Sequence, residues 1–381
     1  MREKEKTKAK FSLDILYQAY LDCRKNKNTT LQARKFEFER EKNLLKLYSD
    51  IASGNYKIGK SICFVISEPK YREIWAGSFR DRIVHHVIYN AIQERFLPKF
   101  ILDTYSCIPS RGTLFGAKRA EKFAKSVTSN FSKEAYFLKM DIKNYFVSIN
   151  KEILFNLVKK ELDLKEEAWL LNLIEMVIFH DPRKNVFIKS PKWLLDKLPR
   201  YKSLFYTTNE KGLPIGNLTS QFFSNVYLNE IDQFAKHKLK CKYYSRYVDD
   251  ILVLSESPKY LNWVYHEINE FLIKNLKLEL NHKKKNINKV KRGFDFVGHV
   301  IKPNQIHIRK KTINKCYLKI KNWKEKERKT KEELVEFRSQ INSYLGMLRH
   351  SDGFQKRKKI LEEIKSENIK PDKNYSKIIL K

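Results

Sequence analysis

Three aspartates pose the chemical question. Asp141 closes the apolar run YFLKMD at 136–141, and Asp249 and Asp250 lie between two β-rich runs in CKYYSRYVDDILVLSES. An acidic pair flanked in this way predicts a hairpin whose tight turn carries both carboxylates, with the strand-end Asp141 able to share the same sheet edge. Like charges within a few ångströms disfavour ionisation, and divalent cations relieve that conflict while holding a triphosphate. Two such ions can stabilise the attacking and leaving oxygens of an in-line phosphoryl displacement. Asp is also a common turn former, so an acidic pair alone decides nothing. The apolar flanks, the preceding Arg246, Tyr247 and Val248, and the upstream Asp141 favour metal binding.

Those carboxylates need a sheet to carry them and helices to cover it. Residues 136–149 predict a strand leaving the core, and 151–180 an amphipathic helix. The Gly/Pro-bearing stretch 212–217 predicts a loop that enters a helix from about Thr219 to Leu239, with Thr219 or Asn217 as N-cap. Beyond the hairpin, Asn262 to Lys274 is predicted helical and Leu276 to Leu280 and Phe294 to Ile301 are predicted strands. From about Thr312 the chain reads as basic helix to its end. Upstream, residues 11–55 predict two helices divided near Lys27 to Thr30. SICFVI and REIWA around Glu68-Pro69 predict a strand pair, followed by a helix from about Asp81 to Leu97. The polar, Pro-containing stretch Arg183 to Tyr206 reads as a loop or small insertion.

A chain of 381 residues has room for two or three packed units. Lys and Arg outnumber Asp and Glu by 78 to 44, a formal charge of +34 spread along the whole chain, which favours an extended polyanion as partner. The 13% aromatic share fits a folded protein with stacking surfaces rather than a disordered basic tail. Cys23, Cys63, Cys107, Cys241 and Cys316 are odd in number and lack CxxC spacing, so free thiols are expected, not disulfides or a zinc site. The charged start MREKEKTKAK has no apolar region behind it, and no stretch approaches about 18 uninterrupted apolar residues. A cytoplasmic protein without a membrane span is expected.

In ordered fashion from about Lys70 to Phe354, the sequence resembles the reverse transcriptase family. Asp141 with Phe146 resembles its first catalytic motif, GLPIGNLTSQ at 212–221 its nucleotide-positioning loop and helix, and YVDD at 247–250 its second catalytic motif. LELNHKKK at 278–285 and GFDFVGHVI at 293–301 resemble the following palm motif and the primer grip. The resemblance implies an α+β right-hand polymerase. Its parts would be a helical N-terminal extension (1–58), fingers (59–135), a palm with an antiparallel sheet (136–300, with an interleaved fingers segment at about 151–210), and a helical basic thumb (301–381).

The resemblance also implies roles for residues. Asp141, Asp249 and Asp250, with Ile142 beside the first, would hold two Mg²⁺ ions, for which Mn²⁺ could substitute. Phe146 would exclude a 2′-hydroxyl and so prefer dNTPs. Ile215, Gly216 and Gln221 would line the nucleotide site; Arg80, Arg82 and Arg111 would meet triphosphate or template, as suits guanidinium. One of Lys283, Lys284 and Lys285 would act at the pyrophosphate leaving group, although His282 stands where the family commonly has proline. In the thumb, Lys310, Lys311, Lys315, Lys319 and Lys321 would grip phosphates of the template and product duplex. Such binding weakens by about 0.9 log units per decade of salt for each phosphate neutralised.

Most of the family begins the nucleotide segment with Gln-Gly and closes it with Ser-Pro. Here Ile215-Gly216-Asn217-Leu218-Thr219-Ser220-Gln221 is similar to the reverse transcriptases of diversity-generating retroelements, as are FRDRIVHH and INSYLGMLRHSDGF. Ile108 departs from that clade, which more often has a basic residue there. The Ile215 side chain cannot hydrogen-bond the nucleotide, so an error-prone enzyme is expected, and the resemblance to that clade implies errors chiefly opposite template adenine. A dedicated structured RNA and a small basic accessory protein are the implied partners, alongside template RNA, cDNA and dNTPs. The alternative is a domesticated bacterial reverse transcriptase in anti-phage defence; a non-catalytic RNA-binding protein would leave the spaced acids unexplained.

Overall fold

The computed structural model describes residues 11–25, 30–68, 70–326, 328, 330–364 and 369–380. The charged start of the chain, part of the expected helix break at Lys27 to Thr30, and Pro69 of the expected turn lie outside them. The chain opens with α1 (Leu13–Arg24), α2 (Leu31–Phe38), α3 (Arg40–Ala52), β1 (Ser61–Ile66), β2 (Arg72–Ala76), α4 (Phe79–Phe96) and α5 (Thr113–Val127). It continues with β3 (Tyr136–Asp141), α6 (Tyr145–Ser148), α7 (Lys151–Lys159), α8 (Ala168–Phe179), β4 (Val186–Ile188), α9 (Lys192–Asp196) and α10 (Leu218–Gln233). Next come β5 (Tyr243–Tyr247), β6 (Asp250–Ser255), α11 (Pro258–Leu276), β7 (Asn286–Lys289), β8 (Phe294–Phe296), β9 (His299–Lys302) and β10 (Gln305–Ile308). Last are α12 (Lys310–Lys324), α13 (Lys331–Arg349), α14 (Phe354–Ile364), β11 (Ile369–Pro371) and β12 (Ile378–Leu380). The fold is α+β, and no helix among the described residues is long and apolar enough to cross a membrane.

Two compact units share these elements, one comprising 1–102, 141–239 and 266–282, the other 103–140, 240–265 and 283–381. In the first, α4 is the spine. Ser78 caps it by accepting from Asp81 N at 3.2 Å, and the buried Asp81 carboxylate in turn accepts from Ser78 Oγ (2.7 Å), Tyr56 Oη (2.8 Å) and Gly59 N (3.1 Å). The apolar side of α4 packs on α1 and α10, with Phe79 against Tyr20 and Phe36, and Tyr89 and Phe96 edge-on to Phe222. A sheet ordered β2-β1-β4 adjoins it, β1 antiparallel to β2 and parallel to β4.

The second unit is built on a sheet ordered β5-β6-β3-β7, with Asp141, the last residue of β3, falling just across the division. Tyr105, Phe137, Leu252, Leu254, Phe294 and Phe296 form its core under α5. The helices α12, α13 and α14 enclose a separate core around Cys316, Ile341, Leu345 and Ile360. At about 1.5–3 kcal/mol per fully buried large apolar side chain, each core outweighs the several kcal/mol that a few partly buried charges cost.

Several expected boundaries move. The N-terminal region has three helices, because the chain breaks at Glu39 and Asn43 Nδ2 caps the carbonyl of Phe36 at 2.9 Å. The helix expected over 151–180 divides where Asp163 Oδ1 accepts from Lys165 N at 3.2 Å in an Asx turn. Residues 276–280 form no strand: Lys277 turns left-handed (φ 52) and only an isolated bridge joins Leu280 to Ile142. The run 294–301 folds as two strands about Val297 (φ 45) and Gly298 (φ 89). The C-terminus ends in the β11–β12 pair instead of helix, its turn built on Asp372, which accepts from Ser376 N (2.6 Å) and Lys377 N (3.1 Å).

One buried titratable group couples α4 to α10. His85, 7% exposed, shares a 2.8 Å hydrogen bond between Nδ1 and Thr219 Oγ1, and burial pulls its pKa down to about 4. The unfolded chain, with an ordinary histidine near 6.5, therefore binds more protons between those values. Stability from this group is complete above about pH 6.5 and falls as pH drops toward 4, by a few kcal/mol at most. Urea denaturation at pH 7 and pH 5 should show a midpoint loss in the wild type that His85→Asn reduces.

Candidate active site

The YVDD hairpin is a two-residue turn, with Tyr247 opposite Asp250 and Val248 and Asp249 at its tip. Val248 takes φ +54, a left-handed conformation that primed hairpin turns need at this position and that Gly usually supplies. For a β-branched residue it is a strained state, of the kind that persists only when its surroundings over-determine it. Arg246 supplies part of that determination. Its side chain is fully buried, and Nη1 donates to the carbonyl of Val248 at 3.1 Å. Its backbone is fixed from the other side, as Arg246 N donates to Asp103 O (2.9 Å) and Tyr105 N to Arg246 O (3.1 Å). Asp103 is itself held by Arg119 through 2.6 and 2.9 Å bonds.

Next to this hairpin strand β6, which opens with Asp250, lies β3, which ends with Asp141. The Asp141 carbonyl accepts from Asn281 N at 2.8 Å, fixing the strand end. Ile142 is buried and apolar, so only its main-chain carbonyl could meet a cation. Burial first, and then the neighbouring Asp249 and Asp295, raise the Asp250 pKa to about 6, against the opposing effect of Lys139. Lys139 Nζ sits 3.4 Å from Asp250 Oδ2 and 2.5 Å from Asp295 Oδ1. Asp250 Oδ1 is buried without a hydrogen-bond partner. A hard oxygen donor left in that condition beside a second carboxylate fits a hard divalent cation. Among the described residues, no group of three or more His, Cys, Asp or Glu forms a protein-only cage. Mg²⁺ seldom needs one, since it is commonly held by one or two carboxylates together with substrate phosphates.

The loop at 212–217, expected from sequence to position the nucleotide, belongs to the first unit and is held by its backbone. Leu213 N donates to Phe146 O (2.9 Å) and Gly212 N to Ile149 O (2.8 Å), so the loop is tied directly to the turn that carries Phe146. That turn follows Asn144, whose left-handed φ of 47 lets the chain leave β3 sharply. The Phe146 ring is half-buried, 5.4 Å from Tyr145, whose hydroxyl donates to Ser224 O at 2.6 Å. On the other side, Trp75 N donates to the Ile215 carbonyl at 2.7 Å and Gly77 N to Asn217 Oδ1 at 3.1 Å. Asn217 thus occupies the N-cap position of α10 while spending its side chain on β2's exit rather than on the helix. Gly216 lies between them at φ +131, where a Cβ would stand 2.7 Å from the Trp75 carbonyl. Gln221 follows on the first turn of α10, half-buried.

The cations divide. Arg80 pairs with Asp50 at 2.7 Å, donates to Lys57 O at 3.1 Å and lies 4.7 Å from the Tyr56 ring, tying α4 to the N-terminal helices. Arg82 Nε donates to Gly77 O at 3.0 Å beside the loop anchor. Arg111 lies in the other unit, where its Nη1 is 3.4 Å from Thr104 O. Of the three lysines, Lys285 is committed to Asn262 (2.6 Å) and to the Tyr265 ring (4.0 Å), whereas Lys283 and Lys284 are exposed. Lys311, Lys315 and Lys319 follow one another at four-residue spacing on α12, opposite its buried Ile313, Cys316 and Ile320. Sequence reading missed the bracing by Arg246 and the counter-charge of Lys139. An Arg two residues before a β-branched turn residue was the only signal for the first.

A family profile described as reverse transcriptase (RNA-dependent DNA polymerase) matches residues 65–301. Protein YkfC of Escherichia coli (strain K12) is 22% identical over 287 residues, which cover 66% of this chain and 69% of that protein. Among solved structures, an apo telomerase from Candida tropicalis truncated from its C-terminal domain matches with a TM-score of 0.46 and 12% identity over 66% of this chain. Telomerase from Candida albicans, in complex with a TWJ fragment of telomeric RNA, matches with 0.46 and 12% over 84% of it. The chain spans only 55% and 58% of those telomerase chains.

The loop geometry gives a stability test with an internal comparison. Gly54 (φ +73) has open space around it, so Gly54→Ala should cost about 1 kcal/mol, from backbone strain alone. Gly216→Ala adds the clash with Trp75 and should cost clearly more in urea denaturation.

Proposed function

The chain belongs to the reverse transcriptase (RNA-dependent DNA polymerase) family, and from that premise we propose that it copies an RNA template into DNA at a site formed by Asp141, Asp249 and Asp250. The observation that carries the proposal is the strained YVDD turn, with the buried Oδ1 of Asp250 lacking a partner. Divalent ions, Mg²⁺ in the first instance, would be held by these three carboxylates with the Ile142 carbonyl, and would supply charge at both oxygens of the displacement.

The protein's own groups do the rest. The Phe146 ring, tied through its carbonyl to the loop at Leu213, lies under the incoming sugar and leaves no room for a 2′-hydroxyl. Ile215 and Gly216 present backbone and an aliphatic side chain to the base pair, with Gln221 behind them. Arg82 in the first unit and Arg111 in the second are the guanidiniums assigned to triphosphate or template, and Lys283 or Lys284 the ammonium assigned to the leaving pyrophosphate. Residues 1–58 act as helical extension, 59–135 as fingers with an interleaved segment near 151–210, 136–300 as palm and 301–381 as a basic thumb.

The finer reading is an error-prone enzyme of a diversity-generating retroelement, working in the cytoplasm with a structured RNA and a small basic accessory protein. Its support is the Ile215 to Gln221 sequence, in which the side chain facing the nucleotide offers no hydrogen bond. Primer extension on a defined RNA with dNTPs and Mg²⁺, followed by cDNA sequencing, tests both levels. Asp249→Asn should abolish product. Ile215→Gln should lower errors opposite template adenine by about tenfold or more, the scale on which pocket contacts discriminate. Full activity in Asp249→Asn would overturn the polymerase site; faithful wild-type cDNA would instead favour the anti-phage alternative.

The turn makes a separate prediction. Arg246→Met frees the Val248 carbonyl, and a displaced carboxylate should lower kcat by about 100-fold with little change in KM for dNTP. Adding Val248→Gly, which accepts positive φ without strain, should restore part of that loss. A double variant no better than the single would show that Arg246 acts otherwise.

A further inference from the structure

The segment from Arg183 to Tyr206, which the sequence suggests is a loop, is a built platform. Arg183 holds Asp181 through 2.7 and 2.9 Å bonds and donates to Thr207 O at 2.6 Å. The buried Glu73 carboxylate accepts from Ser203 Oγ (2.5 Å) and Leu204 N (2.9 Å), and Val186, Leu195 and Phe205 pack on the core of Cys63, Trp75 and Leu204. β4 adds a parallel edge strand to β1. The backbone is thus anchored from beneath by two ionic side chains and a small core.

What it carries outward is unusual. Phe187, Trp193, Tyr201 and Tyr206 are 53 to 63% exposed, and with the neighbouring Tyr71 (38%) they make up five of the ten exposed aromatic side chains among the described residues. Cations are interleaved with them: Lys197 Nζ is 4.8 Å from the Trp193 ring and 5.9 Å from Tyr71, Arg200 is 5.3 Å from Tyr206 and Lys202 is 5.6 Å from Tyr201. Within 183–206 seven Lys and Arg face a single acidic residue, Asp196. Rings more than half exposed on an anchored backbone bury only part of their area in the fold, and such a concentration of them is uncommon on a free surface. A purely electrostatic surface for duplex phosphates would need the cations but not the rings. Rings with interleaved cations are what an unpaired strand offers partners to, because its bases can stack while its phosphates meet Lys and Arg.

We propose that the 183–206 platform binds unpaired, single-stranded nucleic acid by stacking bases on Trp193 and Tyr201. None of residues 183–206 is among those assigned to chemistry, although the small core beneath them includes Trp75, which holds the Ile215 carbonyl, and the surface would bind whether or not the chain polymerises.

The test uses the full chain without dNTPs or added metal, so a failed polymerase reading leaves it intact. Fluorescence anisotropy is measured with labelled single-stranded oligo(A) RNA, oligo(dA) of equal length, and a blunt RNA duplex. Trp193→Ala with Tyr201→Ala should weaken binding of the single strands by about tenfold or more, and duplex binding by less than about twofold. Because no cation is removed, the slope of affinity against salt should not change. Equal losses on oligo(A) and oligo(dA) would support base stacking as the shared chemistry, while a loss on RNA alone would support it with an added ribose contact. Both side chains are largely solvent-exposed, and an unchanged melting temperature checks that the fold is intact. Trp193→Phe, which keeps a ring, should retain most of the affinity. Equal losses on duplex and single strands, or no loss on either, would overturn the proposal, the latter leaving the platform to a protein partner.

Discussion

A buried guanidinium governs the hairpin at the centre of the second unit. Arg246 cannot be neutralised and is removed from water, so its donors must be met by protein acceptors. The carbonyl of Val248 is one of them, and it is available only because the turn adopts the left-handed geometry that Val otherwise avoids. The charge and the strain therefore stabilise one another. The same requirement reaches outward: Arg246 is clasped on its backbone by Asp103 and Tyr105, Asp103 is fixed by Arg119, and Tyr105 fills space against Gly116, where a Cβ would come within 2.7 Å of its ring. The position of Asp249 on the hairpin tip and of Asp250 at the start of β6 is in this way referred back to helix α5 and the core beneath the sheet.

Lys139 makes the complementary adjustment. Two adjacent aspartates on a half-buried turn, with Asp295 nearby, would repel one another without a counter-charge, and Lys139 lies between Asp250 and Asp295. It satisfies only one oxygen of Asp250. The other keeps its burial cost, which explains why Asp250 titrates near 6 although an ammonium stands beside it. A carboxylate so placed is under-compensated as built, and oxygen-seeking cations are the partners that complete such a donor. In a chain with a formal charge of +34, leaving an acidic site short of charge is a local departure that general composition does not explain.

Much of this was legible in the sequence, and the pattern of misses is physical. The YVDD hairpin, the strand ending at Asp141 and the strand pair before α4 were readable because apolar alternation and turn residues agree there. Boundaries failed where a side chain outside the local pattern decides the backbone: Asn43 capping Phe36, Asp163 splitting a continuous amphipathic run, Asp372 closing a C-terminal hairpin in a lysine-rich tail. The Arg183 to Tyr206 stretch looked like loop because its order comes from Glu73, more than a hundred residues earlier, which no window of neighbours can register. The structural partners of Arg80 are illegible for the same reason. Its type suits phosphate, but Asp50 and Tyr56 claim it through contacts formed only on folding.

The loop at 212–217 separates two kinds of information that a sequence motif runs together. Its shape rests on main-chain bonds: the Ile215 carbonyl with Trp75, Leu213 with Phe146, Gly212 with Ile149, and Gly216 at a φ open only to glycine. None of these uses the side chain of residue 215. Position 215 can therefore change its chemistry without changing the path of the loop, whereas Gly216 cannot change at all without moving Trp75. A loop built in this manner takes its path from main-chain bonds and one glycine, so the side chain at 215 is not among the groups that fix it. Ile215 is half-buried on that backbone, and the glycine beside it leaves no room for a Cβ against Trp75 and Ile74.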